Sequence, residues 1–126
     1  DIYMFTQCVL EEMLWIKTGM TTSSEFFHGP LELYDEDTLF VLVKGNGEFR
    51  KIDERVEAFL KKIEGKHEIL DLNDFPLEGT GISPKYTSMI GPMIVETVLT
   101  NRLAAHLEYR TGHNSCFRRY YRKFEY

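Results

Sequence analysis

The spacing of apolar residues predicts an amphipathic helix at the start of the chain. Apolar side chains recur at three- and four-residue steps over positions 2–16, which is the period of a helix with one buried face. Gly19 follows this run, and a glycine just past the last periodic residue is a common helix end. We therefore expect a first helix that carries Glu12 and ends at Gly19.

Two short apolar runs further along the chain predict strands. Residues 38–43 lie between an acidic turn and the segment Gly45-Asn46-Gly47, and such a run suits a central parallel strand covered on both faces. Residues 67–72 predict a second strand. Between the two strands, apolar positions repeat with helical spacing among Lys and Glu, and Gly65 is expected to end that helix. No phosphate-loop motif follows Gly45-Asn46-Gly47, so we interpret it as a turn.

The last long apolar pattern predicts a helix from about Ser88 to a point just before Gly112. Strands that alternate with helices indicate an α/β protein with a parallel sheet. The expected architecture is therefore a three-layer αβα sandwich around that sheet.

Length and charge limit the class of protein. The chain has 126 residues, 43% of them hydrophobic, which is enough for one core of ordinary size and one domain. With 15 basic against 20 acidic residues, neither nucleic acid nor an anionic membrane is expected as a partner. The segment after Cys116 is locally basic, but its interleaved aromatic residues favour a tail packed onto protein. No apolar run approaches the ~20 residues that a membrane span needs.

Cysteine usage argues against a metal or disulfide framework. Cys8 and Cys116 are the only cysteines, and they show neither CxxC nor Cys/His ligand spacing. We therefore expect no metal, no cofactor and a reducing, cytoplasmic compartment. Asp1 stands where an initiator methionine would be, and we interpret the chain as a piece of a longer protein.

His28 stands in a turn that could hold its ring at a defined angle. Gly29 relaxes the backbone behind the imidazole and Pro30 then fixes φ. Glu12 on the preceding helix offers a carboxylate, so an acid and an imidazole could meet around one small substrate. Taken alone, each residue also has a structural interpretation. Glu12 could be a solvated carboxylate, and His28 could cap a helix or bond a backbone carbonyl.

The sequence Glu-Phe-Phe-His-Gly-Pro-Leu-Glu at residues 25–32, between the helix of Glu12 and an apolar strand, resembles the second half of a sugar isomerase (SIS) domain protein. The resemblance covers nearly the whole chain, including the closing residues 118–126. This version of the motif is most similar to the fructosamine-6-phosphate deglycases, which split phosphorylated Amadori products into a hexose 6-phosphate and a free amine. Glucosamine-6-phosphate synthase is a more distant likeness, because Val9 stands where the amidotransferase-type members carry lysine.

The resemblance implies a domain and three residue roles. Residues 1–126 would form a second, carboxyl-terminal SIS domain that lacks its first strand, with residues 113–126 as a tail that contributes to the active site. Glu12 is implied to be the base that moves a proton between C1 and C2 of the opened sugar. His28 is implied to assist ring opening, and Lys123 to reach into the same site.

The resemblance also implies partners. The Ser/Thr-rich phosphate loop of the family lies in the first SIS domain and is absent from this chain, so that domain is an implied partner. A homo-oligomer is expected as well, because in this family the histidine typically crosses a dimer interface. The implied substrate is a phosphorylated sugar amine. Two other functions stay open, namely a plain aldose–ketose phosphosugar isomerase and a non-catalytic regulator that binds a sugar phosphate.

Overall fold

The computed structural model describes residues 2–125, which form two compact units. The central unit is Thr21–Pro92. The terminal unit combines the residues up to Met20 with those from Met93 onward.

The central unit is built on a parallel pair of strands joined by a helix. Strand β1 is Phe40–Lys44, helix α2 is Arg50–Lys62 and strand β2 is His67–Asp71. Phe40 lies opposite His67, and the register continues to Lys44 opposite Asp71. The prediction of an α/β fold with a parallel sheet is therefore confirmed. Short 3-10 turns cover Phe26–His28, Pro30–Leu33, Leu72–Asp74 and Pro84–Tyr86.

Aromatic packing closes the core of the central unit. Phe26 is buried with Leu42 of β1 and with Val56 and Leu60 of α2. The ring of Phe26 also meets three other phenylalanine rings edge to face, at centroid distances of 5.2–5.6 Å. On the opposite face of β1, Val41 is 52% exposed. Within the described residues, β1 is therefore not covered on both faces as the sequence predicted.

Charged side chains join the carboxyl ends of the two strands to α2. Lys44, at the end of β1, lies 2.6 Å from Glu57 and 3.5 Å from Asp71. Arg50 makes a bidentate pair with Asp71, at 2.8 and 2.6 Å. Because each buried charge has an opposite partner, the network fastens α2 across both strand ends without leaving an unpaired ion.

The predicted end of α2 is wrong by one residue. Ile63 is the C-cap, and Glu64 rather than Gly65 takes the left-handed conformation, with φ of 52°. Gly65 has a different role. A side chain there would collide with the ring of Tyr34, whose hydroxyl accepts a hydrogen bond from the Lys66 backbone N–H at 3.0 Å.

The terminal unit begins with helix α1, residues 2–13, which is α-helical over Ile2–Met4 and π-helical over Phe5–Met13. Phe5, Val9 and Leu14 form its buried face. The helix ends at Leu14, whose N–H donates to Val9 O at 3.0 Å, and Trp15 follows with φ of 58°. The prediction that α1 ends at Gly19 is therefore wrong.

The predicted last helix is confirmed. Helix α3 is Thr87–Val98, a π-helical segment spans Leu99–Leu103, and helix α4 is Ala104–Thr111. Gly112 ends α4 in the left-handed conformation, with φ of 67°. Among the described residues, no helix is both long enough and apolar enough to cross a membrane.

The tail after α4 does not pack as its aromatic residues suggested. The prediction of a tail folded onto protein fails for these side chains, because they are 43–70% exposed: Phe117, Tyr120, Tyr121 and Phe124. The contacts that the tail does make come from its charged and polar residues, described below. Tyr126 lies outside the described residues.

Candidate active site

A cavity of about 510 Å³ lies in the terminal unit, between the end of α1 and the tail. Residues 11–12, 15–18 and 118–121 line it. This volume is within the range of small-molecule sites. A second cavity, in the central unit, measures about 60 Å³, which is too small for a sugar.

Glu12 lines the larger cavity and is paired with the tail. Arg118 Nε donates to Glu12 Oε1 at 2.9 Å, and the two side chains are 22% and 35% exposed respectively. No donor from the described residues bonds Oε2 of Glu12. The carboxylate is thus anchored at one oxygen and open at the other, which suits a group that exchanges a proton with a ligand.

Trp15 forms the next part of the cavity wall. Its ring lies 4.2 Å from the ring of His113, and the Arg119 guanidinium stacks on it at 4.0 Å. The His113 ring nitrogen Nε2 lies 3.0 Å from Met13 O. These contacts pack His113 against the end of α1. They also hold the tail against the end of α1.

Lys123 is on the tail but does not line this cavity. Its side chain is exposed, and its backbone N–H donates to Tyr120 O at 2.8 Å. The cation beside Glu12 is instead Arg118. The role implied for Lys123 stays a prediction.

His28 lies in the central unit at the end of the Phe26–His28 turn, with its side chain exposed. Gly29 has φ of 134°, a conformation that few other residues adopt. Pro30 begins the next 3-10 turn. Because Phe26 is buried two positions earlier, the turn that carries the histidine is fastened to the core. The expectation that Gly29 and Pro30 hold the ring at a defined angle toward a substrate stays a prediction.

The three predicted residues therefore lie in two units. Glu12 and Lys123 belong to the terminal unit and His28 to the central unit. The meeting of Glu12 and His28 around one substrate stays a prediction.

Sequence reasoning missed two residues of the cavity, Arg118 and Trp15. Arg118 belongs to the basic tail that was visible in the sequence, but nothing local pairs it with a carboxylate 106 positions earlier. Trp15 is the only tryptophan of the chain, and it lies three residues after Glu12. That placement was the one available signal.

No group of three or more His, Cys, Asp or Glu side chains among the described residues is arranged to hold a metal ion. The cavity instead offers carboxylates, cations and aromatic rings. Those groups can bind a polar organic ligand and move protons.

Two solved structures with the same fold superpose on this chain and are described by the same class of protein. A Bacillus subtilis protein described as a phosphosugar isomerase superposes with a TM-score of 0.85 at 35% identity, over 98% of this chain and 37% of that one. A Salmonella typhimurium protein of the same description gives 0.80 at 29% identity, over 96% of this chain and 36% of that one. No protein-family model matches the sequence.

The parallel α/β fold is shared with these proteins, so the chain is similar to phosphosugar proteins of the SIS type. Two curated relatives are deglycases. The fructosamine deglycase FrlB of Bacillus subtilis is 33% identical over 124 residues, or 98% of this chain and 37% of the relative. The fructoselysine 6-phosphate deglycase of Escherichia coli O157:H7 is 30% identical over 112 residues, or 89% and 31%. The chain thus spans about a third of the length of these relatives.

Proposed function

We propose that the protein to which this chain belongs cleaves a fructosamine 6-phosphate to a hexose 6-phosphate and a free amine. The observation that carries the proposal is the Glu12 carboxylate, which faces a cavity of about 510 Å³ with one oxygen anchored by Arg118. The similarity to two deglycases supports the choice of reaction.

The proposed reaction starts with a proton transfer. The open-chain substrate carries the amine on C1 and a carbonyl at C2. Glu12 takes a proton from C1, the electron pair forms a C1–C2 double bond, and the C2 oxygen takes up a proton from water to give an enaminol. Return of the proton from Glu12 to C2, with loss of the nitrogen proton to water, gives an imine at C1. Water then adds to the imine carbon, the carbon–nitrogen bond breaks, and the aldose phosphate and amine leave. A positioned carboxylate is needed because carbon acids of this kind lose protons slowly in water.

The roles of the other two predicted residues follow the family resemblance. His28 would assist ring opening, since an imidazole can both accept and donate a proton near neutral pH. Lys123 would stabilise negative charge that develops on the intermediate or on the phosphate. Arg118 also qualifies for a supporting role, because it is the cation nearest to Glu12.

The domain arrangement belongs to the same proposal. We take the chain to be the second SIS domain, with residues 113–126 as a tail that completes the site. The relatives are about three times as long as the matched region, which agrees with a further domain that holds the phosphate. A homo-oligomer would bring His28 of one subunit to Glu12 of another.

An aldose–ketose phosphosugar isomerase is the second candidate function. The observation in its favour is that the two solved structures compared above are described as phosphosugar isomerases. The same carboxylate would serve, because isomerisation also moves a proton between C1 and C2. The two reactions differ in whether a carbon–nitrogen bond breaks.

Substrate trials with the full-length protein separate these candidates. We expect release of free amine and hexose 6-phosphate in equal amounts from a fructosamine 6-phosphate. Interconversion of hexose 6-phosphates without amine release would instead indicate the isomerase. Binding of the sugar phosphate without turnover would indicate a regulator and overturn both enzymatic candidates.

A further inference from the structure

Arg118 is held on two sides before it reaches Glu12. Its Nη1 donates to the backbone carbonyls of Ser115 and Phe117, at 2.6 and 2.9 Å, while its Nε donates to Glu12 Oε1 at 2.9 Å. A guanidinium is planar and its donors have fixed directions. Once two carbonyls fix Nη1, the direction of the Nε–H bond toward Glu12 is fixed as well.

The turn that braces Arg118 is itself fastened to α4. Glu108, on α4, accepts from the Ser115 backbone N–H at 3.1 Å and from the Ser115 hydroxyl at 2.8 Å, one bond to each carboxylate oxygen. These two bonds hold the pKa of Glu108 below its usual value, since both favour the ionised carboxylate. Asn114 closes the same turn by accepting from the Cys116 N–H at 2.8 Å.

These contacts form a continuous path within the terminal unit. It leads from α4 through Glu108 and Ser115 to Arg118, and from Arg118 to Glu12 on α1. Arg118 keeps only 22% of its side-chain surface exposed, so these bonds and the partial burial of the side chain together hold its position. The tail thereby sets which carboxylate oxygen of Glu12 is occupied.

We propose that Arg118 is a positioning residue for Glu12, and that the Glu108–Ser115 pair fixes Arg118 in turn. This inference rests on the proposed function of Glu12 as the proton-transfer base. With Oε1 tied to the guanidinium, Oε2 is the oxygen left to meet the substrate. An unbraced carboxylate would rotate among orientations, and only some of them would align with the proton to be removed.

The test compares Arg118→Ala and Arg118→Lys in the full-length protein, with amine release as the assay. A lost alignment is expected to lower kcat by about 100-fold in Arg118→Ala while KM changes by less than about 3-fold. Arg118→Lys keeps the charge but loses the planar guanidinium with its fixed N–H donors, so we expect kcat at least about 10-fold below wild type. Glu108→Gln should lower kcat less than either substitution of Arg118, because it weakens the hydrogen bonds to Ser115 but leaves the bond from Arg118 to Glu12 in place.

The matched control is Arg110→Ala. Arg110 is an exposed arginine of α4 with no ion pair to the described residues. The substitution Arg110→Ala removes the same charge, and we expect no change in kcat. Guanidinium added at concentrations too low to unfold the protein should restore part of the activity of Arg118→Ala, which a purely structural defect would not allow.

The outcomes distinguish this inference from the proposed function. If wild type releases amine and Glu12→Gln does not, but Arg118→Lys has normal kcat, the positioning role is wrong and the role of Glu12 stands. If Arg118→Ala fails to fold, Arg118→Lys decides by the same criterion. If Glu12→Gln retains full turnover, the proposed function fails first and the inference falls with it.

Discussion

Asp71 ends β2 with its carboxylate between two cations. Arg50 bonds both of its oxygens and Lys44 lies 3.5 Å away. The Arg50 guanidinium holds the pKa of Asp71 well below its usual range, because the hydrogen-bonded form is the charged one. A carboxyl with a lowered pKa stabilises the fold at pH values above its unfolded pKa. That stabilisation is lost as the pH falls toward the folded value.

We predict that Asp71→Asn lowers the free energy of unfolding by about 2 kcal/mol at neutral pH. This is less than the ~3–5 kcal/mol typical of breaking a fully buried pair, because Arg50 and Asp71 remain 22% and 19% exposed. Denaturant unfolding at a series of pH values measures the effect. The difference between wild type and variant should shrink below about pH 4, where the unfolded carboxyl becomes protonated.

The matched control is Asp74→Asn, which changes an exposed carboxyl three residues further on. Its unfolding free energy should stay within about 0.5 kcal/mol of wild type. Stability curves of Asp71→Asn and wild type that run parallel at all pH values would contradict the role given to Asp71.

For single residues, the sequence could predict the local backbone structure around a side chain but not its contact partners from distant parts of the chain. The turn at His28 and the helix that carries Glu12 are determined by residues within a few positions. The sequence predicted both, and both are present in the structure. The partner of Glu12 is Arg118, 106 residues away. A tail with several cations does not say which one turns toward a carboxylate. The family resemblance implied Lys123, whose role stays a prediction, and the structure places Arg118 beside Glu12.

Both α1 and α2 end on a left-handed residue that is not glycine. Trp15 follows α1 and Glu64 follows α2, each with φ above 50°. An L-residue in this conformation costs roughly 1–2 kcal/mol relative to the right-handed one. The helices nonetheless stop there, which means that contacts elsewhere outweigh the local preference.

Those contacts explain why the predictions that α1 ends at Gly19 and α2 at Gly65 were wrong. The ring of Trp15 is held by His113 and Arg119, both about 100 positions away. After α2, Gly65 does not serve as the helix end. It is needed instead because the Tyr34 ring packs so close to it that a side chain would not fit. Periodicity located the helices and strands well, whereas their last residues depend on packing that the local sequence does not contain.

We predict that Glu64→Gly stabilises the protein by about 0.5–1 kcal/mol, because glycine adopts a positive φ without strain. Ala58→Gly is the matched control. Ala58 is exposed in the interior of α2, where the same new residue should destabilise by about 1 kcal/mol. Thermal or denaturant unfolding measures both. Equal destabilisation by the two substitutions would show that Glu64 gains nothing from the change.

We predict the opposite for Gly65→Ala, which should destabilise by about 1–3 kcal/mol through overpacking. The added methyl group would overlap the Tyr34 ring and force it away from the Lys66 N–H. Gly19→Ala is the control, since nothing lies within 4 Å of a Cβ at Gly19. Similar stability of the two variants, measured by denaturant unfolding, would remove the packing role of Gly65.

For the whole molecule, the chain has a ligand-sized cavity lined by the Glu12 carboxylate but spans only about a third of the length of its relatives. We therefore predict that the isolated 126-residue chain has no detectable deglycase activity. Assay of amine release by the purified chain checks this. Turnover by that chain alone would contradict the proposal that a further domain and a second subunit complete the site.

The most direct test of the account is Glu12→Gln in the full-length protein, compared with wild type for amine release and for substrate binding. Glutamine keeps the shape of the side chain but cannot accept the proton. Turnover should fall by at least about 100-fold, with the dissociation constant for the substrate changed by less than about 3-fold. Glu78→Gln, at an exposed loop position, should leave both quantities unchanged. Near-normal amine release by Glu12→Gln would remove Glu12 from the chemistry and contradict the account.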